Sequence, residues 1–223
     1  MERFSLAIAL LILASVSNAA GAPQQPVKDA ELRLELLGRV KADQDVRGAI
    51  DKWIRQFVIN DFADEAAFEA SLNATQKAEH QRLAETMRRI DTENTERLGK
   101  IVERHGWPTY TLVGKDGAQA AWLLVQHADL SPKFQRNCLD LMAKVPRNEV
   151  SQQEVAYLTD RVLLAEGKKQ LYGTQFTLEN GKVKPRPLED EANVDQRRAM
   201  VGLPPLAEYL KESETYYGGS PHK

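Results

Sequence analysis

Ala118-Gln-Ala-Ala-Trp-Leu-Leu-Val-Gln-His-Ala128 leaves almost no polar face when wound into a helix, because Ala120, Ala121, Trp122, Leu123, Leu124, Val125 and Ala128 cover nearly every direction. A helix that is apolar all round is buried on all sides. The stretch therefore predicts a central helix with others packed around it, and the fold class follows: mainly α, in a single helical domain. Upstream, Gly106-Trp-Pro108 stops one helix, and Tyr110 to Gly117 is expected as a loop leading into the central one. Downstream, Ser131-Pro132 supplies an N-cap and a first-turn proline for the next.

Periodicity fills in the surrounding layer. From Lys28, the residues Leu32, Leu36 and Val40 recur at intervals of four, and Ile50, Trp53, Ile54, Phe57 and Val58 form a second apolar face. Two helices with a join near Gly48 are expected. Thr75 to His105 is a longer helix, striped by Leu83, Met87, Ile90, Leu98, Ile101 and Val102. The helix after Ser131 carries Phe134, Cys138, Leu141, Met142 and Val145, and ends at Pro146. Ser151-Gln-Gln-Glu154 has the capping-box pattern and opens a helix through Val155, Leu158, Val162 and Ala165, with Gly167 beyond its end.

After Gly167 the texture changes. Asn180-Gly181 lies between short β-competent runs, which predicts a small β-hairpin near the C-terminal part, and Pro185 with Pro187 prevents its extension. Asp195 is placed to cap a short helix to Val201, and Pro204-Pro205 to start another through Tyr209. The expected organisation is a signal peptide at 1–19, a flexible leader at 20–27, one helical domain at 28–215 and a mobile tail at 216–223.

The export signal rests on Arg3, the apolar run from Leu6 to Ala14, and small residues Ser17 and Ala19 at the spacing a signal peptidase needs. That run falls short of the roughly 20 apolar residues that span a bilayer. A periplasmic or secreted protein with no stable membrane anchor after cleavage is expected. Lys plus Arg number 30 against 32 Asp plus Glu, so neither a nucleic-acid footprint nor an acidic tail is visible. The single Cys138 has no partner for an internal disulfide and sits on an apolar stripe, as a small buried hydrophobe would.

Several polar residues fall on faces that periodicity assigns to the interior. Extending the stripe Leu32, Leu36, Val40 lands on Asp43 and Arg47. Asn94 lies within the stripe of the long helix, with Asp91 beside it; His127 lies on the central helix; Asp160 shares a face with Ala156, Leu163 and Leu164. Each would cost about 1–3 kcal/mol if buried without a partner. One explanation is a buried hydrogen-bond network that fixes helix register and tethers Gln170 to Gln175. The other is a ligand pocket lined by His127, Asp129, Asp160, Arg161, Tyr172 and Gln175, where His127 can move a proton and Arg161 can hold an anionic group. No His-Glu-x-x-His, Gly-x-Ser-x-Gly, phosphate-cradling loop or zinc cysteine pair occurs in the sequence, and residues two apart on a helix, such as His127 and Asp129, point in different directions, so no metal site is assigned.

The segments Asp43-Gln-Asp-Val-Arg47, Asp91-Thr-Glu-Asn94, Gly106-Trp-Pro108, Gln126-His-Ala-Asp129, Asp160-Arg161, Gln170-Leu-Tyr-Gly-Thr-Gln175 and Arg198-Ala-Met-Val-Gly-Leu203 together resemble an uncharacterised bacterial family, domain-of-unknown-function 6624. The resemblance covers most of the chain after the export signal. It implies that the inward polar residues belong to one family pattern and groups them into one suspected site. In that grouping His127, Asp160 and Arg161 are the chemically active candidates. Asp43, Arg47, Asp91, Asn94, Gln126, Asp129, Gln170, Tyr172 and Gln175 are the binding candidates. The resemblance assigns no substrate, cofactor or reaction.

The leading expectation is binding of a small polar ligand or peptide in an internal polar cleft. One alternative is a periplasmic hydrolase-like enzyme with His127 as proton carrier, Asp160 orienting it and Arg161 or Gln175 stabilising developing charge. Another is a helical interaction module whose polar cluster is only structural.

Overall fold

A computed structural model describes residues 27–57, 65–179 and 182–217. The stretch expected as a signal peptide, nearly all of the expected leader, Val58, Asn180-Gly181 and residues 218–223 lie outside them.

The chain before the first helix is pinned to the middle of the molecule, where the Lys28 and Asp29 amides donate to the Thr111 and Leu112 carbonyls at 3.2 and 2.9 Å. Asp29 then caps α1 (Ala30–Ile54), its carboxylate accepting from the Leu32 amide. This helix runs without a break through Gly48, where two helices were expected. Gly48 faces open space and keeps helical geometry, so its propensity cost of about 1 kcal/mol is carried by packing on both sides. After the short α2 (Glu65–Ser71), α3 (Ala74–His105) opens on a full capping box between Asn73 and Gln76 and closes at Gly106.

The second departure concerns the expected loop at Tyr110 to Gly117. Thr109 caps a helix there, and α4 (Tyr110–Gln126) is bent within at Gly114, whose φ of 78° only glycine adopts without strain. An added Cβ at Gly114 would lie 2.9 Å from Asp116 Oδ1 and 3.2 Å from Val27 Cγ1. The central role read from the sequence holds: α4 packs against α1, α3, α5 (Pro132–Met142) and α6 (Gln152–Ala165). Helix α5 stops at Met142, before the expected Pro146, and a single 3-10 turn at Arg147–Glu149 follows that proline.

The hairpin pairs β1 (Phe176–Glu179) with β2 (Lys182–Pro185) antiparallel, Phe176 opposite Pro185 and Glu179 opposite Lys182. Helices α7 (Val194–Met200) and α8 (Leu206–Tyr217) complete the fold, with α8 against β2. Asp195 was expected to cap α7. Instead it sits in that helix's first turn, and its carboxylate accepts from the Leu206 amide at the start of α8. Tyr216 and Tyr217, placed in the tail by sequence, close α8.

Two apolar clusters result. The main one joins Leu32 and Leu36 of α1 to Leu98 and Ile101 of α3, Trp122 and Val125 of α4, Cys138 and Met142 of α5, and Leu158 and Val162 of α6. A satellite holds Trp53, Ile54, Leu72 and Leu83, with Phe57 and Phe68 against it. Within the satellite, Trp53 and His80 stack with ring centroids 5.3 Å apart. Cys138 is free and fully buried, and burial pushes its thiol up to about 12. Among the described residues, no helix is long and apolar enough to cross a membrane.

Candidate functional site

Midway along α1 the inward face turns from leucine to Asp43 and Arg47, both buried. Helical spacing sets them one turn apart, and Arg47 Nη1 lies 2.9 Å from Asp43 Oδ1. Helix α3 brings Asp91 to the other side of the same guanidinium, whose Nη2 donates to Asp91 Oδ2 at 3.1 Å. The C-terminus of α4 delivers His127, whose Nδ1 lies 2.9 Å from each Asp43 oxygen. Burial is the main force holding the imidazole below its ordinary pKa, and the nearby Arg47 and Arg161 charges add to it, while Asp43 pulls the other way. His127 is therefore neutral at pH 7, with Nδ1–H donated to Asp43. Its second nitrogen, Nε2, makes no hydrogen bond among the described residues.

The cluster extends from both ends of this chain of contacts. One turn along α3 from Asp91, the buried Asn94 accepts from Arg39 Nη1 at 3.3 Å through Oδ1. Next to His127, the Gln126 Oε1 accepts from Arg161 Nε at 2.9 Å. Arg161 Nη1 also donates to Asp129 at 2.7 and 2.8 Å. Gln135 is buried under this group and gives Nε2–H to the Val125 and Gln126 carbonyls and to Asp129.

Charge is unevenly held. Burial works against ionisation of Asp43, but the His127 hydrogen bond and the Arg47 charge override it and hold the carboxyl below its ordinary value. Asp129 is held low in the same way by Arg161. For Asp91, burial prevails over Arg47 and raises the carboxyl to about 6.

Four sequence candidates gather elsewhere. Asp160, fully buried on α6, accepts from the Leu171 amide at 2.7 Å, the Tyr172 amide at 3.0 Å, and the Thr174 amide and hydroxyl at 2.9 Å each. Gln170 is also fully buried; its Nε2 donates to the Gln175 and Arg186 carbonyls and its Oε1 accepts from the Gln175 amide. The Tyr172 carbonyl accepts from Arg198, a buried arginine that also donates to the Pro204 carbonyl. Gly173 takes a φ of 67° to make this turn, beneath Leu206. The Gln175 side chain reaches only Thr174.

The single suspected site thus divides into two networks. Asp43, Arg47, Asp91 and His127 are joined by direct contacts, with the Gln126, Asp129 and Arg161 group beside His127 at the end of α4 and Asn94 one turn along α3 from Asp91, and these make the first; Asp160, Gln170, Tyr172 and Gln175 form the other. Consecutive residues on a helix point about 100° apart, so Asp160 faces the loop while Arg161 faces the end of α4. The carboxylate that orients His127 is Asp43, the position at which the sequence reading had Asp160. Gln135 and Arg198 were missed as site residues. Gln135 was findable, since Gln135, Cys138, Leu139 and Met142 make a better helical stripe than the one beginning at Phe134.

Five side-chain atoms of the first network are buried without a hydrogen bond: Arg47 Nε and Nη1, Asp91 Oδ1, Asn94 Nδ2 and Gln126 Nε2. Nη1 and Oδ1 still sit in ion-pair contact, so the plainest vacancies are the three donors Nε, Nδ2 and Nε2. No cluster of His, Cys, Asp and Glu able to hold a metal occurs among the described residues.

No curated protein and no solved structure matches the chain significantly. A family model described as "Family of unknown function (DUF6624)" matches residues 30–220, which takes in every helix that builds these networks, and the chain belongs to that family.

Proposed function

We propose that this protein binds a small polar ligand at the cluster between α1, α3 and the C-terminus of α4. The observation that carries the reading is the set of unpartnered buried donors on Arg47, Asn94 and Gln126. Buried polar groups are ordinarily paired, and a donor without an acceptor costs about 1–3 kcal/mol. Three on elements that pack together, α1, α3 and the end of α4, fit a site whose remaining acceptors arrive with a ligand. We also propose export after Ala19, on the strength of the apolar N-terminal run and its small-residue exit, with the site working in the periplasm or outside the cell.

The test is native mass spectrometry of the full chain after incubation with a small-molecule extract, wild type against the double variant N94L/Q126L. A bound mass present on wild type and absent from the variant is expected. Equal spectra would leave the donors as a flaw in packing with no ligand behind it.

Asp43 and His127 favour a second reading, a hydrolase-like enzyme. A carboxylate that fixes Nδ1–H leaves a neutral Nε2 able to take a proton from water or substrate. In that case His127→Gln keeps ligand binding and loses turnover.

A further inference from the structure

The vacancies in this cluster are of two kinds, and their mixture limits what can fill them. On the donor side are Arg47 Nε, Asn94 Nδ2 and Gln126 Nε2. On the acceptor side is Asp91 Oδ1, buried and without a hydrogen bond; the Arg47 guanidinium touches it at 3.0 Å, but its aligned N–H goes to Oδ2. His127 Nε2 adds a second acceptor, since Nδ1 carries the proton shared with Asp43.

We infer that the group held here is an uncharged amide, such as a peptide bond or carboxamide presents. This rests on the reading of the cluster as a ligand site. A carboxylate or phosphate would satisfy the donors and leave Asp91 Oδ1 facing a like charge. An ammonium group would satisfy Asp91 and leave the donors empty. An amide carries a carbonyl oxygen with two lone pairs beside an N–H donor, so one group can accept from two of the three donors and donate to one of the acceptors.

Charge points the same way. Arg47 is already flanked by Asp43 and Asp91, and Arg161 is taken by Asp129. With His127 neutral, Asp43, Asp91 and Asp129 face Arg47 and Arg161, while Arg39, which reaches Asn94, shares the Glu35 carboxylate with Arg97; four carboxylates balance four guanidiniums, and the cluster holds no net positive charge for an anion. An anion entering would be stripped of water without a counter-charge in return. Arg161, the residue expected to hold an anion, gives Nε to Gln126 and Nη1 to Asp129, so its charge is matched by a carboxylate already in place.

The test uses the full chain labelled with 15N, with the side-chain NH2 resonances of Asn94 and Gln126 assigned from the N94L and Q126L variants. N-acetylglycinamide, acetate, inorganic phosphate and methylammonium are titrated separately. Saturable shifts of both NH2 groups by N-acetylglycinamide are expected, with about tenfold weaker binding to Q126L, the loss of roughly one hydrogen bond. Tighter binding of acetate, phosphate or methylammonium at the same resonances overturns the ligand class and leaves the site standing. No response to any of the four overturns the site as well.

Discussion

The two carboxylates at the heart of the polar networks, Asp43 and Asp160, are both completely buried, and they are treated in opposite ways. Asp160 is surrounded by neutral donors from one short loop, three amides and a hydroxyl, all of them used, and one contact further out only Arg198 Nη2 is buried without a hydrogen bond among the described residues of this loop's network. Asp43 is held by two ionisable side chains, Arg47 on its own helix and His127 at the end of α4, together with the Gln44 amide, and the groups one contact further out are left open. A buried acid whose partners are backbone amides fixes a chain conformation. One whose partners are a histidine and an arginine with vacant N–H groups holds chemistry in readiness. Burial alone does not separate structural from functional acids; the accounting of their partners does.

The sharpest way to break that contrast is Asp160→Asn. The amide nitrogen would face an amide donor, so at least one loop N–H, that of Leu171 or of Thr174, loses its acceptor and the fold should lose about 1–3 kcal/mol. Urea unfolding measures it, and a loss below about 1 kcal/mol would mean that the cradle is not structural. His127→Gln, by contrast, should leave the fold intact near neutral pH, because Gln can still donate toward Asp43.

A pH series sharpens the other side. His127 has a lowered pKa in the fold, so the unfolded chain takes up its proton first, and stability falls as pH drops through the ordinary imidazole range. Asp91, raised to about 6, has the reverse sign: the folded chain takes up the proton first, and stability rises as pH falls from about 6 toward 3.8. Wild type should therefore show partly cancelling slopes, and H127Q should gain stability relative to wild type between pH 7.5 and pH 5, by about 1 kcal/mol or more. A constant difference between the two would place His127 outside the titrating network.

The smallest effect is expected at Asn94. Asn94→Leu removes an unpaired NH2 and one long contact to Arg39, and should change stability by less than about 1 kcal/mol in either direction while ligand binding is lost. A large destabilisation would move Asn94 to the structural class with Asp160.

Much of this was legible in the sequence, for reasons that particular residues make plain. The unbroken apolar surface of Ala118 to Ala128 required a central helix, and α4 is one. The cap signals at Ser151 and the glycine at 167 set the limits of α6 correctly. Local propensity misled at Gly48 and at Gly114. At the first, packing at either end overrides one weak residue; at the second, a helix continues past a bend that only a positive φ allows. Periodicity also found Asp43, Arg47, Asn94, His127 and Asp160, because it reports which side of a helix a residue faces. It is silent on which element lies opposite. Asp43 and His127 are 84 positions apart, and only the packing of α1 on α4 brings them together.

The uninterrupted α1 connects two cores of unequal size, with Asp43 and Arg47 where it passes from one to the other. A helix continuous in shape need not be continuous in stability. Its first half is clamped by the main cluster and is expected to exchange amide hydrogens through global unfolding. Its last turns rest on Trp53, Ile54 and the stacked His80 ring, and a smaller opening of that aromatic group frees them. Native-state hydrogen exchange should therefore show a step in protection inside one regular helix, near Asp43 to Arg47, which makes this histidine-bearing cluster the seam between two cooperative units.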